Sequence, residues 1–279
     1  MTGWEARAAE TLAFLRRRIS GDYSTDEFGF DPDFADHVLV PVERALYRHW
    51  FDITVDGLEH VPGTGGALIV ANHSGTLPID ALMAQVALHD QHPDGRRLRL
   101  LAADLVYKLP MLGHLSRKAG NTLACPEDAH RLLRGGELVG VFPEGFKGVG
   151  KPFSERYRLQ RFGRGGFVST AIRARAPIVP CAIVGAEEIY PKIGDVRAVA
   201  KLFGLPYFPV TPTFPWLGPL GVIPLPTRWI IGFGPPVHTE TMDPDSADDP
   251  HVVATLTADI RRLIQDRVDE LRERRGAAF

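Results

Sequence analysis

Four short runs in this chain are apolar from end to end: Ala67–Ala71, Leu138–Phe142, Ile178–Val184 and Trp229–Phe233. A strand with one wet face alternates polar and apolar residues, so a run without alternation has to be covered on both sides. Ile53 and Val55 do alternate with polar neighbours, and Gly57 ends that segment. Helical patterns fall between the runs, at about 79–90 and 127–135. A closing helix is predicted from about 251 to 274, with Val252, Leu256, Ile260, Leu263 and Val268 on one stripe. Strands alternating with helices predict an α/β domain whose mostly parallel sheet is flanked by helices. At 279 residues the chain can bury a full-sized core.

The N-terminal fifty residues read differently. Trp4, Ala8, Leu12, Leu15 and Ile19 recur at helical spacing over residues 1–20, and Arg16, Arg17 and Arg18 end the segment. Arginines there complement a helix dipole, and they equally suit docking on an anionic membrane surface. Trp4, Glu5, Arg7 and Glu10 interrupt any apolar core of a signal peptide. An acidic linker follows, and then a second helical segment around His37 to His49. The predicted division is a helical, membrane-associating segment at 1–50 and an α/β domain at 51–279.

The longest charge-free stretch, Leu202 to Thr227, has 26 residues, enough to cross a bilayer. Its seven prolines break any helix, and irregular backbone does not face lipid tails. No transmembrane helix is expected. Phe208, Phe214, Trp216 and Leu217 make it either a proline-pinned connection over the core or an apolar wall for an acyl chain or a bilayer.

The net charge of −2 gives no reason to expect nucleic acid. It conceals segregation. Between Lys147 and Arg175 there are eight basic residues and one acidic, a segment of +7 that leaves −9 elsewhere. Six carboxylates lie between Asp22 and Asp36, and five between Glu240 and Asp249, with no basic residue in either stretch. The basic segment is a solvated face or a surface for a phosphate-bearing ligand or anionic head group. Cys125 and Cys181 stand alone, without metal-ligand spacing, so no metal site is expected.

Chemistry-bearing residues gather where strands end, which is where ligands bind in open α/β sheets. After Ala67–Ala71 come Asn72 and His73, with Asp80 seven positions on. A loop histidine can act as a general base, and a carboxylate can fix its tautomer. After the next apolar run come Phe142, Pro143, Glu144, Gly145 and Lys147, with Glu144 expected to be exposed beside the basic segment. Gly163, Arg164, Gly165 and Gly166 open a predicted helix, as an anion site or as a close-packing device. Pro177 to Pro180 begins a strand that leads to Glu187 and Glu188, which are either functional or a polar strand end.

Together these segments resemble the glycerolipid and lysophospholipid acyltransferase family. Asn72-His73 with Asp80 resembles its first block, Phe142-Pro143-Glu144-Gly145 its glycerophosphate-binding block, and Pro177-Ile178-Val179-Pro180 its fourth, across roughly residues 50–240. Gly185 to Pro191 and the proline-rich stretch look like the branch related to monoacylglycerol and diacylglycerol acyltransferases. There are two departures. The family's first block has four residues between histidine and aspartate and this chain has six, so the loop must bulge for Asp80 to reach His73. Asp104 and Glu144 are the substitute carboxylates. The second block's arginine after a Gly-containing turn has no clear counterpart, since Gly120-Asn121-Thr122 follows Arg117-Lys118. That departure favours an acceptor without a free phosphate.

The resemblance implies acyl transfer from a thioester, acyl-CoA or acyl carrier protein, to a lipid hydroxyl, with no bound cofactor. His73 is the implied base and Asp80 its orienter. Phe142, Pro143, Glu144, Gly145, Lys147, Arg156, Arg161 and Arg164 are the implied substrate-binding residues. The implied setting is peripheral attachment to the cytoplasmic face of a membrane. The alternatives are an ester or thioester hydrolase, disfavoured by the lack of a Gly-x-Ser-x-Gly elbow, and a lipid-binding protein on the same scaffold.

Overall fold

The computed structural model describes residues 3–276. Its main sheet has seven strands: β1 (Asp52–Asp56), β2 (Ala67–Ala71), β3 (Leu98–Ala102), β4 (Thr122–Leu123), β5 (Leu138–Val141), β6 (Ile178–Val184) and β9 (Arg228–Phe233). A separate two-stranded hairpin is formed by β7 (Gly194–Asp195) and β8 (Pro209–Val210). The main order is β1-β9-β6-β2-β5-β3-β4, parallel at every junction except β6 with β9. The expected mostly parallel sheet is present, with β1 and β9 reversed as a pair.

Alternate residues of each central strand serve opposite layers. Leu68 and Val70 join Val139 and Ile178 beneath the helices Pro126–Arg134, Gly166–Ala174 and Pro250–Arg275. Ala67, Ile69 and Ala71 join Val179, Ile183 and Trp229 on the other face, under the helix Ile79–Gln91 and residues 32–50. Both faces are covered, so the apolar runs need no alternation. The closing helix is capped by the Asp249 side chain, and its buried stripe is Val253, Ile260, Ile264, Val268 and Leu271. The expected stripe was out of phase by one residue at Val252 and Leu263, and Leu263 is exposed. At 3.6 residues per turn, adjacent apolar residues compete for one face, and packing on β6 and β9 decides between them.

The second N-terminal helical segment runs from 32 to 50 rather than 37 to 49. It alternates α turns at Pro32–Phe34 and Val40–Ala45 with π turns at Ala35–Leu39 and Leu46–Trp50. Pro41, in the first turn of Val40–Ala45, has no N–H to continue the ladder across it.

The acidic stretch before it is not a free linker. Asp26 pairs with Arg99 at 2.7 Å and Asp36 with Arg97 at 2.6 Å. Glu27 pairs with Arg131. Fully buried Asp31 takes Arg18 at 2.6 Å and Lys118 at 3.2 Å. Residues 22–36 therefore form a strap across the β3–β4 side of the sheet, and those cations hold it there. The first helix, Gly3–Ser20, is fastened to the strap by Arg17, Arg18 and a Phe14–His37 ring stack at 4.8 Å. Its Trp4, Leu12, Leu15 and Ile19 face outward, exposed.

Part of the proline-rich stretch also faces outward. Leu202, Phe203, Trp216, Leu217, Leu220, Val222 and Ile223 are exposed, with Trp216 at 71%. Phe208 and Phe214 pair with ring centroids 5.4 Å apart. The stretch carries features of both readings: Trp216 and the side chains named with it are exposed, whereas Thr211 and Gly221 are buried and Tyr207, Phe208, Val210 and Phe214 are half-buried. Among the described residues, no helix is long and apolar enough to cross a membrane.

Candidate active site

The adjacent strands β2, β5 and β6 end together, and their following loops build the site. Asn72 ties the end of β2 to β6: its Nδ2 donates to the Ile183 carbonyl at 2.9 Å, and its Oδ1 accepts the Ile183 N–H at 2.7 Å. His73 follows directly, so its backbone position is fixed by the sheet.

The next residues form the bulge that the six-residue spacing requires. Gly75 has φ +90° and Thr76 φ +65°. The Leu77 N–H reaches the Gly75 carbonyl at 2.6 Å, and the Ile79 N–H reaches that of Leu77 at 2.8 Å. Two successive three-residue turns thus shorten the loop. Asp80, in the first turn of the helix Ile79–Gln91, arrives beneath His73. His73 Nδ1 donates to Asp80 Oδ2 at 2.8 Å, and the Ser74 N–H donates to the same oxygen at 2.8 Å. The Ala81 N–H donates to Oδ1 at 2.9 Å. Three donors converge on a fully buried carboxylate, which is the arrangement an anion needs away from water. With its proton on Nδ1, His73 has a lone pair on Nε2, as a general base requires. The imidazole is 12% exposed. Asp104 begins the separate helix Asp104–Lys108 and is not the partner.

Phe142 packs its ring on His73, with centroids 4.6 Å apart. Glu144, expected to be exposed, is buried at 3%. Its Oε1 accepts the His73 N–H at 2.8 Å, and its Oε2 accepts the N–H of Gln160. It therefore ties the histidine loop to the basic segment, and those bonds drew it inward. Burial pushes its pKa up, opposed by the Lys151 charge and the two N–H donors. Lys151 is itself buried and pairs with Glu187 at 2.6 Å. Burial also pushes Glu187 up, to about 7. Glu188 pairs with Arg275 at 2.8 Å. The two carboxylates after β6 are thus committed to buried ion pairs.

Gly145, at φ +53°, turns the chain into the short helix Phe146–Val149, which carries exposed Lys147. Pro143 accepts the Gly163 N–H at 3.2 Å, so the segment 160–163 runs beside the Phe-Pro-Glu-Gly loop with Arg161 exposed on it. Arg164 is exposed just before Gly165, the left-handed cap of the helix Gly166–Ala174. Arg156 is exposed, with its guanidinium 4.4 Å from the Phe153 ring centroid. Arg117 lies over Tyr107 and Lys118 on Asp31, so the basic pair of the second block serves the strap side. Gly148 carries a role that the sequence reading missed. A Cβ there would lie 2.6 Å from the His73 carbonyl oxygen and 2.8 Å from Glu144 Cβ. The close run of Gly145, Gly148 and Gly150 was the available signal. Among the described residues, no group of three or more His, Cys, Asp and Glu side chains is placed to hold a metal ion.

A family model described as Acyltransferase matches residues 52–184, the span from β1 to the end of β6. A protein of Mycobacterium tuberculosis, named only as uncharacterized, is 57% identical over 263 residues, 94% of this chain and 74% of its own length. The chain belongs to the acyltransferase family. The human protein named DGAT1/2-independent enzyme synthesizing storage lipids is 29% identical over 189 residues, 66% of this chain and 53% of that protein. Among solved acyltransferase structures, the 1-acyl-sn-glycerophosphate acyltransferase PlsC of Thermotoga maritima shares the fold. Its TM-score is 0.55 at 18% identity, over 95% of this chain and 97% of PlsC.

Proposed function

We propose that this acyltransferase moves a fatty acyl group from a thioester, acyl-CoA or acyl carrier protein, to a hydroxyl of a glycerolipid or lysophospholipid. The observation that carries the reading is the His73 Nδ1 to Asp80 Oδ2 hydrogen bond of 2.8 Å at the end of β2. Nε2 takes the acceptor's hydroxyl proton as its oxygen attacks the thioester carbonyl. The new C–O bond forms and the C–S bond breaks. The imidazolium, steadied by Asp80, returns the proton to the departing thiolate. Base catalysis of this kind is worth about 10²–10⁴ in rate. The oxyanion is stabilised near Gly145 and Lys147.

Phe142, Pro143, Glu144 and Gly145 shape the floor of the site, and Lys147, Arg156, Arg161 and Arg164 bind phosphate groups of the donor or acceptor. Phe208, Phe214, Trp216 and Leu217 meet the acyl chain or the bilayer. Residues 1–50 add the apolar face of Gly3–Ser20 to a peripheral contact with the cytoplasmic face of a membrane, while their Phe28 and Tyr47 also pack into the core of the catalytic part at 51–279. The resemblance to the storage-lipid enzyme favours a neutral glycerolipid acceptor, as does the engagement of Arg117 and Lys118 away from the site.

The test is incubation with radiolabelled oleoyl-CoA and a panel of monoacylglycerol, diacylglycerol and lysophospholipid acceptors. Acylated acceptor, lost in His73→Ala, is the expected result. Transfer that persists in that variant sinks the mechanism. Free oleate formed without acceptor indicates the hydrolase, and binding without turnover the lipid carrier.

A further inference from the structure

The loop that joins His73 to Asp80 is held by a residue from far along the chain. Tyr207 lies in the proline-rich stretch, and its hydroxyl donates to the Thr76 carbonyl at 2.5 Å. Its ring lies against Gly150, where a Cβ would come within 2.7 Å of it, and Lys192 Nζ is 4.6 Å from its centroid. Burial raises the phenol's pKa and keeps it a donor.

Thr76 is a residue that needs holding. Its φ of +65° is one that a β-branched side chain rarely adopts, and it centres the strained hand of three-residue turn. Its own N–H donates to Val149 at 3.1 Å, and its Oγ1 to the Tyr190 carbonyl at 3.2 Å. If Thr76 relaxed to negative φ, the loop would lengthen and Asp80 would lose its line to His73.

We infer that Tyr207 is a positioning residue for the His73–Asp80 pair, pinning Thr76 in the left-handed conformation on which the six-residue spacing depends. It acts through the loop and does not touch the reacting atoms. The inference rests on the reading of His73 as the base.

The test compares Tyr207→Phe, which keeps the ring and removes the hydroxyl, in two backgrounds. Glycine adopts positive φ without penalty, so Thr76→Gly removes the need for the pin. In the wild-type background, Tyr207→Phe should lower kcat about tenfold, the rate equivalent of one hydrogen bond, with KM unchanged. The substrates are oleoyl-CoA and monooleoylglycerol in mixed micelles. The His73 Nδ1–H resonance, read by nitrogen-edited NMR without substrate, should exchange faster with water. In the Thr76→Gly background, the same change should alter kcat and the resonance less than about twofold, the double-mutant signature of a shared role. Equal losses in both backgrounds would make Tyr207 an ordinary packing residue and overturn the inference, as would an unaltered resonance in Tyr207→Phe. Because the resonance needs no turnover, this outcome is separate from the His73→Ala result, which tests the base itself.

Discussion

Asp80→Asn isolates what the buried carboxylate does. In the native chain its Oδ2 accepts from both His73 Nδ1 and the Ser74 N–H, and its Oδ1 from the Ala81 N–H. An asparagine has one acceptor oxygen. Turned toward His73, it leaves an NH₂ facing the Ala81 N–H; turned away, it faces His73 with donors and forces the proton onto Nε2, removing the base. Either choice also removes the charge that stabilises the imidazolium formed during transfer. At about 4 Å and an effective dielectric of about 20, that attraction is worth about 4 kcal/mol. Each 1.36 kcal/mol is about tenfold in rate, so kcat should fall by about 10³ with KM nearly unchanged. The leftover buried donor should cost about 1–3 kcal/mol of stability. Steady-state transfer from oleoyl-CoA and urea unfolding measure the two effects. A kcat within about tenfold of wild type, in a protein shown to be folded, would refute the assignment of Asp80 as orienter.

Gly148→Ala should reduce kcat more than it reduces stability, because its Cβ would meet the His73 carbonyl at 2.6 Å and displace the histidine loop; parallel melting and rate measurements show whether it does. Glu187 has a pKa raised from 4.5 to about 7, so its contribution to stability is present below 4.5 and lost as pH rises through about 7. The stability of Glu187→Gln relative to wild type should therefore increase from pH 5 to pH 8, and a flat difference would contradict the burial. Trp216→Ser with Leu217→Ser should weaken sedimentation with anionic liposomes at least as much as deletion of residues 1–20, since both side chains are more than half exposed.

The central sheet was legible because β2 and β6 are buried on both faces and so are apolar at every position. β3 was not, because it carries Arg99, and a charge in a covered strand reads as a loop. Only the fold shows that Arg99 is satisfied by Asp26 and by the Gly120 carbonyl, the aspartate lying 73 positions upstream. Glu144 misled for a related reason. A carboxylate in a Pro-Gly turn is normally wet, and nothing local reveals that the N–H groups of His73 and Gln160 converge on it. The His73–Asp80 pair could be named from sequence, but its reach could not. That depended on positive φ at Gly75 and Thr76 and on a tyrosine hydroxyl 131 positions away, none of which leaves a periodic trace.

The strap has a practical consequence for anyone who shortens this protein. Cutting at residue 51 would look safe, because the family match begins at 52. It would strip the strap's carboxylates from Arg97, Arg99, Lys118 and Arg131 at once, leaving Arg99 only the carboxylate of Glu137 at 3.8 Å and Arg131 only that of Asp128 at 3.9 Å, and uncover a two-residue edge strand beside a buried guanidinium. It would also remove Phe28 and Tyr47, one from each hydrophobic layer. Such a fragment should gather anions along its new cationic rim and associate through the opened edge. A catalytic fragment that keeps this edge covered would have to begin upstream of Asp22 and keep Arg17 and Arg18 as the clasp.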